Sequence, residues 1–121
     1  MKATEVNDRA WLLFPMTWRN NRGALKTPNG FITYGIPDPP RRGEDKLKGG
    51  DRIGWKEITI TPEMVGKKIA VFTSIEVKAT GDTLADGQLD WHNLVINSGG
   101  ISEIWKADKH DNIEIIRDVI K

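Results

Sequence analysis

At 121 residues the chain has room for one domain with a real core, and it is too short for a catalytic module joined to a separate targeting module. With 38% hydrophobic and 29% charged residues its composition excludes a disordered chain, and no apolar run approaches the roughly 20 residues of a membrane span. The net charge of +1 carries no case for a polyanionic partner by itself, and the absence of cysteine excludes disulfides, iron–sulfur clusters and thiolate zinc sites.

Any metal must therefore sit on oxygen ligands or on His92 and His110, which stand in no metal-ligand spacing and read as structural or exposed. The start, Met1-Lys2-Ala3-Thr4-Glu5, is polar at once and has no secretory pattern, so a cytoplasmic location is the expectation.

In chain order, Thr4 is a candidate N-cap for a helix through about Phe14, with Glu5 in its first turn and Val6, Ala10, Leu13 and Phe14 as a partial apolar stripe. Pro15 ends it. Residues 16–20 and 31–36 read as two strands of a hairpin, with turn chemistry at Thr27-Pro28-Asn29-Gly30. Residues 37–50 hold Pro37, Pro39, Pro40, Arg41, Arg42, Lys46, Lys48, Gly49 and Gly50, and read as a long basic loop.

Residues 51–59 are a strand candidate through Ile53, Trp55 and Ile58. Residues 68–78 are a β-branched strand through Ile69, Val71, Phe72, Ile75 and Val77. A short link between them predicts antiparallel pairing. Residues 84–98 read as a helix stopped by Gly99-Gly100, then 101–105 as a strand. An amphipathic C-terminal helix is expected to carry Ile113, Ile116, Val119 and Ile120.

That antiparallel pairing predicts that Asp51, at the head of one strand, lies beside Glu76-Val77-Lys78 at the tail of the other. Alternation puts Glu76 and Lys78 on one face and Val77 in the core. Two carboxylates and the Val77 carbonyl suit a hard divalent cation such as Mg²⁺, which keeps several waters and binds few protein oxygens. Lys78 would orient or deprotonate a metal-activated water, or stabilise a phosphate transition state. The alternative is a solvated strand end with an ordinary Glu-x-Lys.

Leu84, Gln88, Trp91 and Val95 are spaced by four, three and four, which sets an amide on the apolar stripe of the helix. Gln88 is then either a site residue or a structural hydrogen bond. Glu5 is a possible ligand or simply a first-turn acid favoured by the helix dipole.

The segments Trp18-Arg19-Asn20-Asn21-Arg22-Gly23-Ala24, Gly50-Asp51-Arg52-Ile53-Gly54-Trp55, Ile75-Glu76-Val77-Lys78, Gln88 and Gly99-Gly100-Ile101 occur in an order that resembles the PD-(D/E)XK nucleases, specifically the VRR-NUC family of small phage and bacterial enzymes. The resemblance implies an α/β (α+β mixed-sheet) domain over residues 1–121, with an αβββαβ core and an extra C-terminal helix. It implies an Mg²⁺- or Mn²⁺-dependent endodeoxyribonuclease with metal on Asp51, Glu76, the Val77 carbonyl and Glu5, Lys78 catalytic and Gln88 supporting. Stand-alone members look like homodimeric Holliday-junction resolvases, so the implied partners are four-way-junction DNA and a second copy, with no membrane. Gly50 departs from the Pro or Ser common before the metal-binding Asp, and residues 41–49 look like an insertion.

Phosphate contacts are expected from Arg19, Asn20, Asn21, Arg22, Lys26, Arg41, Arg42, Lys46, Lys48 and Arg52, with solvated surface charge as the alternative for each. A flap- or duplex-directed nuclease, or a non-catalytic DNA-binding protein on the same fold, are the competing functional readings.

Overall fold

Proline and glycine mark where both helices end, the first ahead of Pro15 and the second ahead of Gly99. The structure, a computed structural model, describes residues 1–37 and 49–121. The basic-loop residues Arg41, Arg42, Lys46 and Lys48 lie outside the described residues. Those that are described form a mixed α+β protein with the order α1 (Ala3–Leu13), β1 (Thr17–Arg19), β2 (Gly23–Thr27), β3 (Gly30–Tyr34), β4 (Arg52–Gly54), β5 (Thr73–Lys78), α2 (Asp86–Asn97), β6 (Ile101–Ala107) and β7 (Ile113–Ile116). They divide into two compact units, Met1–Lys56 and Glu57–Lys121.

In the first unit α1 begins two residues earlier than expected. Lys2, not Thr4, is its N-cap, and the Lys2 carbonyl accepts the Glu5 N–H at 3.0 Å. Thr4 is thereby a helical residue. The apolar stripe expected to face a core is exposed at Val6, Leu13 and Phe14. The helix stops as Pro15 predicts, and Thr17 Oγ1 caps it by donating to the Phe14 carbonyl at 2.7 Å.

The hairpin forms, but from β2 and β3, with Thr27 opposite Gly30 across the Pro28-Asn29 turn. The strand expected over residues 16–20 is β1, and it pairs antiparallel with β4, Arg19 opposite Arg52. Residues 20–22 end β1 before the hairpin begins, so a third short strand takes the place expected for the first.

In place of the pairing expected between residues 51–59 and 68–78, β4 takes β1 and β5 takes β6. Both expected strands are also shorter than their apolar content suggested. β4 ends at Gly54, and Ile69 and Val71 precede β5 without joining it.

In the second unit β5, β6 and β7 form one sheet, parallel between β5 and β6 and antiparallel between β6 and β7. The parallel step needs a crossover, and α2 is that crossover. Gly99, at φ +94°, turns the chain off the helix as a left-handed C-terminal glycine does. A side chain at Gly100 would press within 3.0 Å of Val95 Cγ1 and the Phe72 carbonyl, so helix and sheet approach this closely only over glycine. The Ile101 N–H then donates to the Phe72 carbonyl at 2.9 Å and opens the ladder.

The expected stripe of α2 is observed, with Gln88 and Trp91 half-buried and Val95 buried. The most deeply buried side chains among the described residues, Ile104, His92 and Val95, all lie on α2 and β6. His92 is structural as expected. Its Nδ1 meets Ser102 Oγ and its Nε2 meets the Asp118 carbonyl, both at 2.7 Å. Because a carbonyl only accepts, Nε2 carries a proton toward Asp118, and the Ser102 hydroxyl can serve Nδ1 as donor or acceptor.

The expected C-terminal helix is replaced by β7. Ile113 and Ile116 keep helical spacing, but Ile115 between them makes a β-branched run that suits a strand. A tight turn delivers it. The Asp108 carboxylate accepts the N–H groups of His110 and Asn112 at 2.7 and 3.0 Å, and folds the chain back onto β6. Val119 and Ile120 lie past the strand in a tail that Asn93 of α2 holds, with the Ile120 N–H and carbonyl bonded to the two ends of its amide at 2.9 and 2.7 Å.

Candidate functional site

Alternation along β5 decides the candidate site. Ser74, Glu76 and Lys78 are partly covered, while Thr73, Ile75 and Val77 are exposed. Val77, expected in the core, is 73% exposed, because α2 packs on the face that carries the polar residues. What holds that face is specific. Trp91 Nε1 donates to Ser74 Oγ at 2.9 Å, and Gln88 Nε2 donates to Glu76 Oε1 at the same distance.

Gln88 is oriented from its other end as well. It stands at the third position of α2, where its Oε1 accepts the Ala85 N–H at 3.0 Å. This satisfies a backbone donor at the helix start, as the glutamine half of a capping box does, although Ala85 has no side chain to complete the box. With Oε1 committed to a donor, the amide can only present its NH₂ group to Glu76. Sequence spacing left open whether Gln88 is structural or a site residue, and its geometry makes it both a helix cap and the hydrogen-bond donor to the central carboxylate.

Lys78 Nζ lies 3.4 Å from the same Glu76 Oε1. The Lys78 side chain is 12% exposed against 39% for Glu76, so the ammonium stem is held within the unit while the carboxylate reaches solvent. Glu76 Oε1 therefore receives both an amide and an ammonium. Among the described residues Oε2 has no hydrogen-bond partner.

The Val77 carbonyl can be placed from the ladder. With Ile101 N–H bonded to the Phe72 carbonyl, the regular alternation of a parallel pair turns the backbone groups of Ser74, Glu76 and Lys78 toward β6. Those of Thr73, Ile75 and Val77 turn to the other edge of β5, which has no ladder neighbour among the described residues. A carboxylate oxygen and a main-chain carbonyl are thus both left open along β5, and both are hard donors of the kind that Mg²⁺ or Mn²⁺ takes.

Asp51 and Glu5 belong to the first unit. Asp51 is exposed at the head of β4, and its own carbonyl accepts the Asn20 N–H at 2.8 Å. Glu5 is exposed in the first turn of α1. Among the described residues no three acidic or histidine side chains cluster as a metal site, so any cation there relies on main-chain oxygen, water or substrate for its remaining ligands.

The expected DNA-contacting residues divide by what they already hold. Asn20 Nδ2 donates to the carbonyls of Ile36 and Gly50 at 2.8 and 3.0 Å, and its Oδ1 accepts the Ile36 N–H at 2.8 Å. It fastens residue 36 to residue 50, next to Asp51. Arg22 Nη2 donates to the Pro37 carbonyl at 3.2 Å, one residue further on.

Arg52 is turned inward, its Nε and Nη1 donating to Thr17 Oγ1 and Asn7 Oδ1 at 3.0 and 3.1 Å and its Nη2 to the Thr17 carbonyl. This ties α1, β1 and β4 together. Arg19, Asn21 and Lys26 are exposed.

Sequence reasoning did not find Ser74 or the fastening role of Asn20. Ser74 stands two residues before Glu76 on the same face, and Trp91 stands three after Gln88 on the same stripe, so strand and helix periodicity together contained that signal. Compared with protein-family models, with curated proteins and with solved structures, the chain matches none.

Proposed function

We propose that the chain is a metal-dependent DNA endonuclease on a PD-(D/E)XK-like core, with Glu76 and the Val77 carbonyl of β5 as ligands for Mg²⁺ or Mn²⁺. The observation that carries this reading is the arrangement on β5: Glu76 is gripped through Oε1 by Gln88 and Lys78, while Oε2 is left open. A solvated strand end has no need of a glutamine fixed at both ends of its amide.

When bound, the cation supplies Lewis acidity toward a phosphoryl oxygen and acidifies a coordinated water. The residues do the rest. Gln88 keeps the Glu76 carboxylate in one rotamer, and Lys78, an ammonium paired with Glu76, presents positive charge where the pentacovalent phosphate gathers negative charge. Hydrolysis joins a water oxygen to phosphorus and breaks one bridging P–O bond, leaving a phosphate monoester and a hydroxyl.

The preferred substrate in this reading is branched DNA, a four-way junction first, cut by a homodimer whose two sites match the pseudo-symmetry of the junction. Incubation with a labelled junction, its matched duplex and a flap, in Mg²⁺, in Mn²⁺ and in chelator, tests it. Metal-dependent paired nicks in the junction are expected. Cleavage of the flap or the duplex alone would keep the nuclease and replace its substrate, and no cleavage of any would leave a DNA-binding module.

A further inference from the structure

We propose that the β2–β3 hairpin is a nucleic-acid-binding ribbon, with Lys26 on a backbone phosphate and Phe31 stacked on an unpaired base.

Nine of the ten hairpin residues are exposed, on both faces, Thr27 being the exception. The register makes the faces unlike each other. Leu25 opposes Ile32, and Tyr34 lies over Gly23 so closely that a side chain there would meet its ring. On the opposite face Lys26 opposes Phe31, one pair from the turn. Phe31 is 72% exposed, and neither it nor Lys26 has a hydrogen-bond, ion-pair or ring partner among the described residues. The turn between them is stiffened by Thr27 Oγ1, which donates to the Gly30 carbonyl at 2.9 Å.

An exposed aromatic beside an exposed cation invites several partners, and charge selects among them. Residues 9–37 carry Arg9, Arg19, Arg22 and Lys26 and no aspartate or glutamate, a local charge of +4. The remaining 14 cationic and 17 acidic side chains leave the rest of the chain at −3. A second copy of this hairpin would bring like charges together, whereas a polyanion neutralises them. Five-residue strands extend about 17 Å, enough to lie along several nucleotides. A stacked base with a phosphate held alongside is how single-stranded and branched nucleic acids are gripped without sequence preference.

The inference rests on the proposed nuclease activity only for the choice of branched DNA as ligand, and its test separates the two. Binding of the full chain to a labelled four-way junction, a single strand and a matched duplex is followed by fluorescence anisotropy in chelator, across a series of salt concentrations. Phe31→Ala is expected to weaken junction and single-strand binding about tenfold with an unchanged salt slope, and Phe31→Trp to restore it. Lys26→Ala is expected to reduce the salt slope by about one phosphate contact, roughly 0.7 to 0.9.

Wild-type affinity in both alanine variants would overturn the proposal. So would binding to anionic lipid vesicles without binding to DNA, or a Phe31→Ala variant that changes only the sedimentation mass. Metal-dependent cleavage is scored separately with Glu76→Gln. Its loss in that variant with Phe31→Ala binding normally would sink the ribbon and leave the nuclease, and the reverse pattern would do the opposite.

Discussion

Asn20→Ala removes three hydrogen bonds at once, to the Ile36 carbonyl, the Ile36 N–H and the Gly50 carbonyl, and spares the main-chain bond from the Asn20 N–H to the Asp51 carbonyl. Net contributions of about 0.5–1.5 kcal/mol each, taken at the low end because the three bonds are exposed, give a loss of about 1–2 kcal/mol. For a chain of this size that is a fall in thermal midpoint of about 4–8 °C.

The more specific readout is local. The Ile36 amide loses its acceptor and is expected to exchange with solvent about tenfold faster, while amides of α2 hold their protection. Asn20→Asp discriminates further. It keeps an acceptor for the Ile36 N–H but sets a carboxylate oxygen against two carbonyls at 2.8 and 3.0 Å, so it is expected to be no more stable than the alanine variant. An Asn20→Ala protein with the wild-type midpoint and unchanged Ile36 exchange would refute the reasoning.

Gln88→Ala removes both the cap on the Ala85 N–H and the donor to Glu76, and is expected to lower unfolding stability by about 1–2 kcal/mol in denaturant titrations. Gln88→Glu keeps the cap acceptor but faces Glu76 with a like charge. Its deficit is expected to exceed that of the alanine variant at neutral pH and to shrink on acidification, as one of the two carboxyls takes up a proton.

Acid sensitivity of the second unit has a defined sign. The Trp105 indole and then the Arg117 guanidinium hold the Glu103 carboxyl below its ordinary range, and the backbone N–H groups of Asn112 and His110 do the same for Asp108. Both contribute stability that is present above the ordinary carboxylate range and lost as pH falls through their lowered values. Thermal midpoints measured from pH 7 to pH 3 are expected to fall more steeply in the wild type than in a Glu103→Gln, Asp108→Asn double variant, and parallel curves would contradict this.

Much of the second unit was legible because its signals are local and periodic. Gln88, Trp91 and Val95 recur at helical spacing, Gly99-Gly100 punctuates the helix, and Glu76 and Lys78 share one strand face. What was misread depends on long-range pairing. Ile113 and Ile116 fit a helix or a strand equally well until the Asp108 turn brings them to β6. The neighbour of β5 is chosen by the crossover through α2, and that of β4 by β1, neither of which the adjacency of the two segments in sequence reveals. Alternation sets Val77 opposite Glu76 and Lys78 but does not say which face is buried, and that side of β5 is set by the polar contacts of Trp91 and Gln88. Asn20 and Arg52 were read as surface contacts for a ligand, because nothing in a sequence shows that an amide or a guanidinium is already satisfied by main-chain oxygens.

The central claim is that the open carboxylate oxygen of Glu76 serves phosphodiester hydrolysis. Wild type, Glu76→Gln and Lys78→Ala, purified identically and matched by circular dichroism, are incubated with a labelled four-way junction in Mg²⁺ and in chelator. Nicking by the wild type in Mg²⁺ alone, and by neither variant, is the predicted result. Equal nicking by all three, or none by the wild type in either Mg²⁺ or Mn²⁺, would contradict it.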